Sequence, residues 1–155
     1  MRTIPRSRRG FTLIELLIVI SIILVILAIA IPRMDKQMLL AREMAVIREI
    51  GSIHMAEAQY HAQFGKYATN LTQLGPPASG ADGPEAANII PKGLTEGKKN
   101  GYVYSVATTP AGYAVVAMPE SSGNSGSRTF YSDQTLAIRS NLGREPATPV
   151  SPEIK

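Results

Sequence analysis

The sequence contains no cysteine in its 155 residues. That excludes a disulfide framework, a thiolate nucleophile and a cysteine metal site. It does not exclude a location outside the cytoplasm; it means that packing alone must hold the fold. Enzyme signatures are missing as well. There is no Gly-x-Ser-x-Gly element and no glycine-rich phosphate loop. The two histidines, His54 and His61, fall in one segment with no cluster of loop carboxylates around them. A membrane-anchored enzyme is therefore the poorest of the function classes open to the chain. Carboxylates are scarce in the loops of the β region, which hold only Glu120 and Asp133 among Ser, Asn and Gln. A calcium site needs six to eight oxygens with several carboxylates, so neither a metal nor any other cofactor is expected. No internal repeat is present.

Excess charge is absent too, once its position is considered. The formal net charge is +4. Arg2, Arg6, Arg8 and Arg9 all lie in the first ten residues, and the remainder carries 12 basic and 12 acidic groups. A formally neutral remainder has no global field to draw in nucleic acid. Nucleic acid stays a possible partner that nothing indicates, with Lys98-Lys99 as the local basic pair; a solvated loop is the simpler reading of that pair.

What the chain does have is an apolar run. Phe11 to Ile31 are 21 residues with a single charge, Glu15, and two small hydroxyls, Thr12 and Ser21. As a helix the run spans roughly 30 Å, the hydrocarbon thickness of a bilayer. It is apolar on every side, so it belongs in lipid or among other apolar helices. The basic flank orients it with residues 1–10 in the cytosol and the remainder outside. The competing reading is an ordinary secretory signal, for which Ala28 and Ala30 make a weak small-x-small pattern; the apolar run is long for that.

Pro32 follows, and a kink or local break is expected there. From Asp35 to about Phe64 the pattern is amphipathic. Leu39, Val46, Ile50, Ile53, Tyr60 and Phe64 are spaced by 7, 4, 3, 7 and 4, one face of a 3.6-residue period. Arg42, Glu43, Arg48, Glu49 and Glu57 read as the charges of the other sides, and Gly65 as a C-cap. The two halves, 11–31 and 32–64, would make a helix about 80 Å long if continuous. Residues 65–140 read as a loop followed by β structure. Glycine and proline break the loop, and 69–74 suits one helical turn. Strands are expected at 102–106, 113–118, 128–132 and 136–140, with Asp133-Gln134-Thr135 as the last turn. Residues 141–155, with three prolines, read as a flexible tail. The fold class is α+β: a long N-terminal helix packed on a small antiparallel meander.

The most specific string is Arg8-Arg9-Gly10-Phe11-Thr12-Leu13-Ile14-Glu15, followed by the apolar run and Pro32. It resembles the processing and assembly signature of type IV pilins and pseudopilins. The likeness is sharp over 8–34 and continues as general architecture to about 64. It implies that a prepilin peptidase cuts between Gly10 and Phe11 and that the new Phe11 amine is N-methylated. It further implies that an assembly ATPase and a membrane platform protein build a helical homopolymer with the N-terminal helices at its core. The subunit would sit in the inner membrane before assembly and in an extracellular or cell-surface filament afterwards. The resemblance gives Glu15 an assembly role, pairing with the Phe11 ammonium of a neighbouring subunit, and gives Pro32 the role of a helix kink. Two departures stand out: without cysteine there is no disulfide-closed C-terminal loop, and the Asp-rich calcium loop of many secretion pseudopilins has no counterpart. That tilts the reading towards a pilus subunit; the alternative is a pseudopilin of a type II secretion system.

Simpler readings stand beside these. Thr12-Leu13-Ile14-Glu15 is also a capping box. His54, Glu57 and His61 lie on one side of a helix; a solvated or interfacial face is a simpler account than a transition-metal site. Tyr102, Tyr104 and Tyr113 are expected to be half-buried strand residues.

Overall fold

The computed structural model describes residues 10–154, with the side chains of Pro32 and Arg33 left out of the description. The expected leader and its basic flank, residues 1–9, fall outside those bounds. The architecture is α+β and pilin-like. Helix α1 (Leu13–Phe64) is followed by two single-turn helices, α2 (Leu71–Leu74) and α3 (Lys92–Thr95). Five strands come next: β1 (Lys98–Lys99), β2 (Tyr102–Thr109), β3 (Gly112–Pro119), β4 (Arg128–Asp133) and β5 (Arg139–Leu142). They form one antiparallel sheet in sequence order. The chain divides into two compact units, Met1–Gln37 and Met38–Lys155.

In the first unit the described part is almost all helix, and its large apolar side chains are open to solvent among the described residues. Every large apolar side chain from Phe11 to Ile31 is exposed. The helix is long and apolar enough to cross a membrane. Its polar groups are bonded locally, Ser21 donating from Oγ to the Ile18 carbonyl at 2.8 Å. Local bonding is what a hydroxyl among hydrocarbon requires. Of the kink or local break expected at Pro32, the break is not found: α1 runs through that position. A proline costs a helix one backbone bond, and the bonds of the flanking turns carry the helix across.

The second unit has its own core. The α1 face read from periodicity is the buried one: Val46, Ile50, Ile53 and Tyr60 are fully buried, and Phe64 packs at the edge. On the sheet, β2 alternates buried and exposed, with Tyr102, Tyr104 and Val106 inward. Tyr113, Val115 and Ala117 of β3 and Phe130 of β4 complete the layer. The tyrosines are thus fully rather than half buried, because this face of the sheet is the one covered. Gly65 ends α1 with φ of +70°, its N–H reaching the His61 carbonyl at 2.8 Å. The single turn expected near 69–74 is α2, capped by Asn70, whose Oδ1 accepts from Gln73 N at 3.1 Å.

Three expectations need correction here. The last strand begins at Arg139, not at 136. Asp133 accepts from Thr135 N, the Leu136 N–H returns to the Asp133 carbonyl, and Leu136 takes φ of +65°. The turn therefore consumes three more residues before Tyr131 pairs with Arg139. Lys98-Lys99 is a strand rather than a free loop, and both ammonium groups are paired, Lys99 with Glu49 at 2.7 Å and Lys98 with Glu120 at 3.7 Å. The segment expected as a tail folds back on the sheet. Ser140 N–H donates to the Pro152 carbonyl, Ile154 N–H to the Ile138 carbonyl, and Thr129 Oγ1 to the Glu145 carbonyl at 2.7 Å. Ala147 is buried and Ile154 packs on the core. Proline removes a donor but keeps an acceptor, so a proline-rich segment can still close a sheet edge.

Candidate cleavage and assembly site

Gly10, Phe11, Thr12 and Glu15 sit at the start of α1, all exposed. The helix begins at Leu13, which makes Thr12 its N-cap and Glu15 the third helical residue. Their bonds are reciprocal. Glu15 N–H donates to Thr12 Oγ1 at 3.3 Å, while Glu15 Oε2 accepts from Thr12 N–H at 3.4 Å and from Thr12 Oγ1 at 3.2 Å. This is the capping box anticipated from the spacing. It satisfies two of the otherwise orphaned donors and puts an anion where the helix dipole favours one. Phe11 is 84 % exposed, immediately outside the box. Gly10 has open space around it: an added Cβ would meet nothing within 4 Å. Packing among the described residues thus places no demand on glycine at that position.

The structure does not bring His54, Glu57 and His61 together as a ligand set, and no group of three metal-ligating side chains occurs among the described residues. Each has its own role. His54 is buried; its Nδ1 lies 2.6 Å from Tyr113 Oη and its Nε2 lies 2.8 Å from Ser132 Oγ. Ser132 Oγ donates onward to the Ala137 carbonyl at 3.0 Å. That direction makes Nε2 the donor to Ser132 and Nδ1 the acceptor from Tyr113, a neutral imidazole. Burial holds the His54 pKa below its ordinary value, with Asp133 opposing. His61 is exposed, and its ring lies 4.6 Å from that of Tyr67. Glu57, expected on a solvated side, is fully buried. Its Oε2 accepts from Ala68 N–H at 3.0 Å, and burial pushes its pKa up to about 7. Glu43, also expected in solvent, is buried and accepts from Ser127 N and Oγ, with Arg128 at 3.6 Å. The sequence did hold a signal for these. His54 and Glu57 each follow a core residue, Ile50 and Ile53, by four, which puts them on the same face.

The features at the N-terminus define a class: a helix exposing an uncovered apolar surface, started by an acid-containing cap and leading into a small α+β domain. Residues 5–31 match the prokaryotic N-terminal methylation motif. The chain accordingly carries a prepilin-type motif, as found in type IV pilins and pseudopilins, on a helix long and apolar enough to cross a membrane. Comparison with curated proteins and with solved structures gives no match.

Proposed function

We propose that the chain is a structural, non-catalytic subunit of a type IV pilus-like filament. Prepilin peptidase cuts between Gly10 and Phe11, and the Phe11 amine is methylated. An assembly ATPase and a platform protein then draw the subunit from the inner membrane into a surface fibre. The observation that carries this reading is the coincidence of the methylation motif, residues 5–31, with an apolar helix whose large side chains are all exposed among the described residues. Such a helix is stable in lipid, and it is equally stable among copies of itself, because neither environment is water. Helix exchange between the two then has a small net cost, which suits reversible polymerisation. The local bonding of Thr12 and Ser21 supports the same step, since neither hydroxyl crosses the lipid unpaired.

The test is direct. Surface material is sheared from cells expressing the chain at native level, imaged, and its subunit mass measured. Long fibres built of a chain beginning at methylated Phe11 support the proposal. A chain beginning after Ala30, or an uncut chain in the fibre, overturns it. Correct processing without fibres at native level moves the assignment to a pseudopilin.

A further inference from the structure

Glu57 occupies an unusual position. It is completely buried where α1 meets the segment that follows it. Oε2 takes the Ala68 N–H at 3.0 Å, and Oε1 has no hydrogen-bond partner among the described residues. No cation compensates it: the ion pairs found among the described residues are Lys98–Glu120, Lys99–Glu49 and Arg128–Glu43. The titratable groups around it are accounted for. On α1, His54 is held by Tyr113 and Ser132, Tyr60 donates to the Pro84 carbonyl at 2.6 Å, and His61 is exposed. After the helix, Lys66 is exposed and Tyr67 lies against Tyr113 of β3, ring centres 4.9 Å apart. Tyr113 and Tyr60 both feel the Glu57 charge; Asp133 of β4 acts on His54 and Tyr113, and Glu85 on Tyr60.

We propose that Glu57 is a proton-operated latch: its neutral carboxyl holds the segment 65–70 against α1, and loss of its proton loosens that segment while His54 keeps the sheet on the helix. The reason is desolvation. A neutral carboxyl with one oxygen unpaired is tolerable in an apolar core, whereas a carboxylate with one backbone N–H and no cation is not. Opening admits water to the charge. The Ala68 side chain is buried in the core and the Tyr67 ring packs beside it, so the latch acts on the backbone at that point. Ala68 N–H has the Glu57 carboxyl as its partner, and Gly65, at φ +70°, forms the bend where the chain leaves α1. His54 works separately, because its partners lie on β3 and β4.

The sign follows from linkage. Burial pushes the carboxyl up to about 7 in the closed form, and exposure to water on opening would return it towards the ordinary 4.5. The closed form binds the proton more tightly, so closure is strongest below 4.5 and is lost as pH rises through 7, with up to tenfold change per pH unit between. The test uses the full chain in detergent micelles and follows Ala68 amide exchange, corrected for its intrinsic pH dependence, from pH 4 to 9. Protection should fall between about 4.5 and 7 and level off above. The Ala117 amide, in the centre of the sheet, should show no such step. In Glu57→Gln the step should vanish, because the amide oxygen still accepts from Ala68 and never ionises. A pH-independent Ala68 in the wild type, or an unchanged step in Glu57→Gln, overturns the latch. Should that variant not fold, the carboxyl carbon of Glu57 is titrated by NMR in the wild type instead. A midpoint well above 4.5 supports the proposal, and a midpoint at 4.5 overturns it.

Discussion

Thr12 and Glu15 bond each other in both directions, yet on the glutamate side both contacts fall on Oε2. The cap thus occupies one carboxylate oxygen and leaves its charge undiminished. A glutamine serves equally well in a capping box but cannot pair with an ammonium. At about 4 Å and an effective dielectric near 20 such a pair is worth roughly 4 kcal/mol before desolvation is subtracted. If the proposed pairing with the Phe11 amine of a neighbour sets the register of the fibre, Glu15→Gln should insert and be cut normally but lose most filaments when it is the only copy. Glu15→Ala should do the same. Normal fibres with Gln and none with Ala would reduce the role of Glu15 to the cap. Electron microscopy of sheared material, beside immunoblots of membrane precursor, gives the answer.

Gly10 offers a cleaner separation of folding from processing. Nothing lies within 4 Å of where its Cβ would be. Gly10→Val should therefore leave the stability of the domain within about 0.5 kcal/mol of wild type, as for surface changes generally. Under the proposed processing it should still block the cut, with uncut chain accumulating in the membrane. Intact mass spectrometry distinguishes the two products.

Two buried groups set opposite dependences on pH. His54 has a lowered pKa in the folded domain. The unfolded chain then takes up its proton first, so the contribution of His54 is complete above the ordinary value of 6.5 and is lost as pH falls below it. Glu57 acts the other way, contributing more as pH falls from about 7 towards 4.5. Between pH 5 and 6.5 the two partly cancel. Removing one should expose the other: Glu57→Gln is expected to lose Tm steadily on acidification from pH 7 to 5, where the wild type changes little. Thermal melts of the full chain in micelles across that range test it; parallel curves for the two proteins would contradict the assignment.

Gly126 illustrates a packing demand. A Cβ there would run into the Tyr102 ring, which is fully buried and whose hydroxyl donates to the Arg128 carbonyl at 3.0 Å. Moving the ring aside would strain that bond. Gly126→Ala is expected to cost about 1–3 kcal/mol, the usual range for overpacking. A lower urea midpoint with an unchanged slope would show it.

The legible parts of the sequence were the local ones. The Thr12–Glu15 box depends on a spacing of three, and the buried face of α1 on a period of 3.6; both are properties of a few consecutive turns. The alternation of Tyr102, Tyr104 and Val106 was readable for the same reason. What escaped was decided at a distance. Glu43 is buried because Ser127, 84 residues on, supplies two donors, and His54 because Tyr113 and Ser132 do. A charge on a helix reads as solvated until its partner is known. The start of β5 was misplaced because Leu136 adopts a left-handed conformation that its side chain gives no reason to expect. The return of 152–154 rests on main-chain acceptors, which composition does not reveal.

That return has a practical consequence for anyone wishing to carry a foreign peptide on this domain. Ile154 packs on the core and its N–H is tied to the Ile138 carbonyl. A peptide fused directly behind it pulls on the element that closes the edge at β5. Four residues earlier, Val150 is 92 % exposed within a turn closed by Ser151 N–H on the Thr148 carbonyl. An epitope inserted there would project into solvent with the bonds of Pro152 and Ile154 left in place. The best position for display is therefore inside the chain, just short of its last fastened residues.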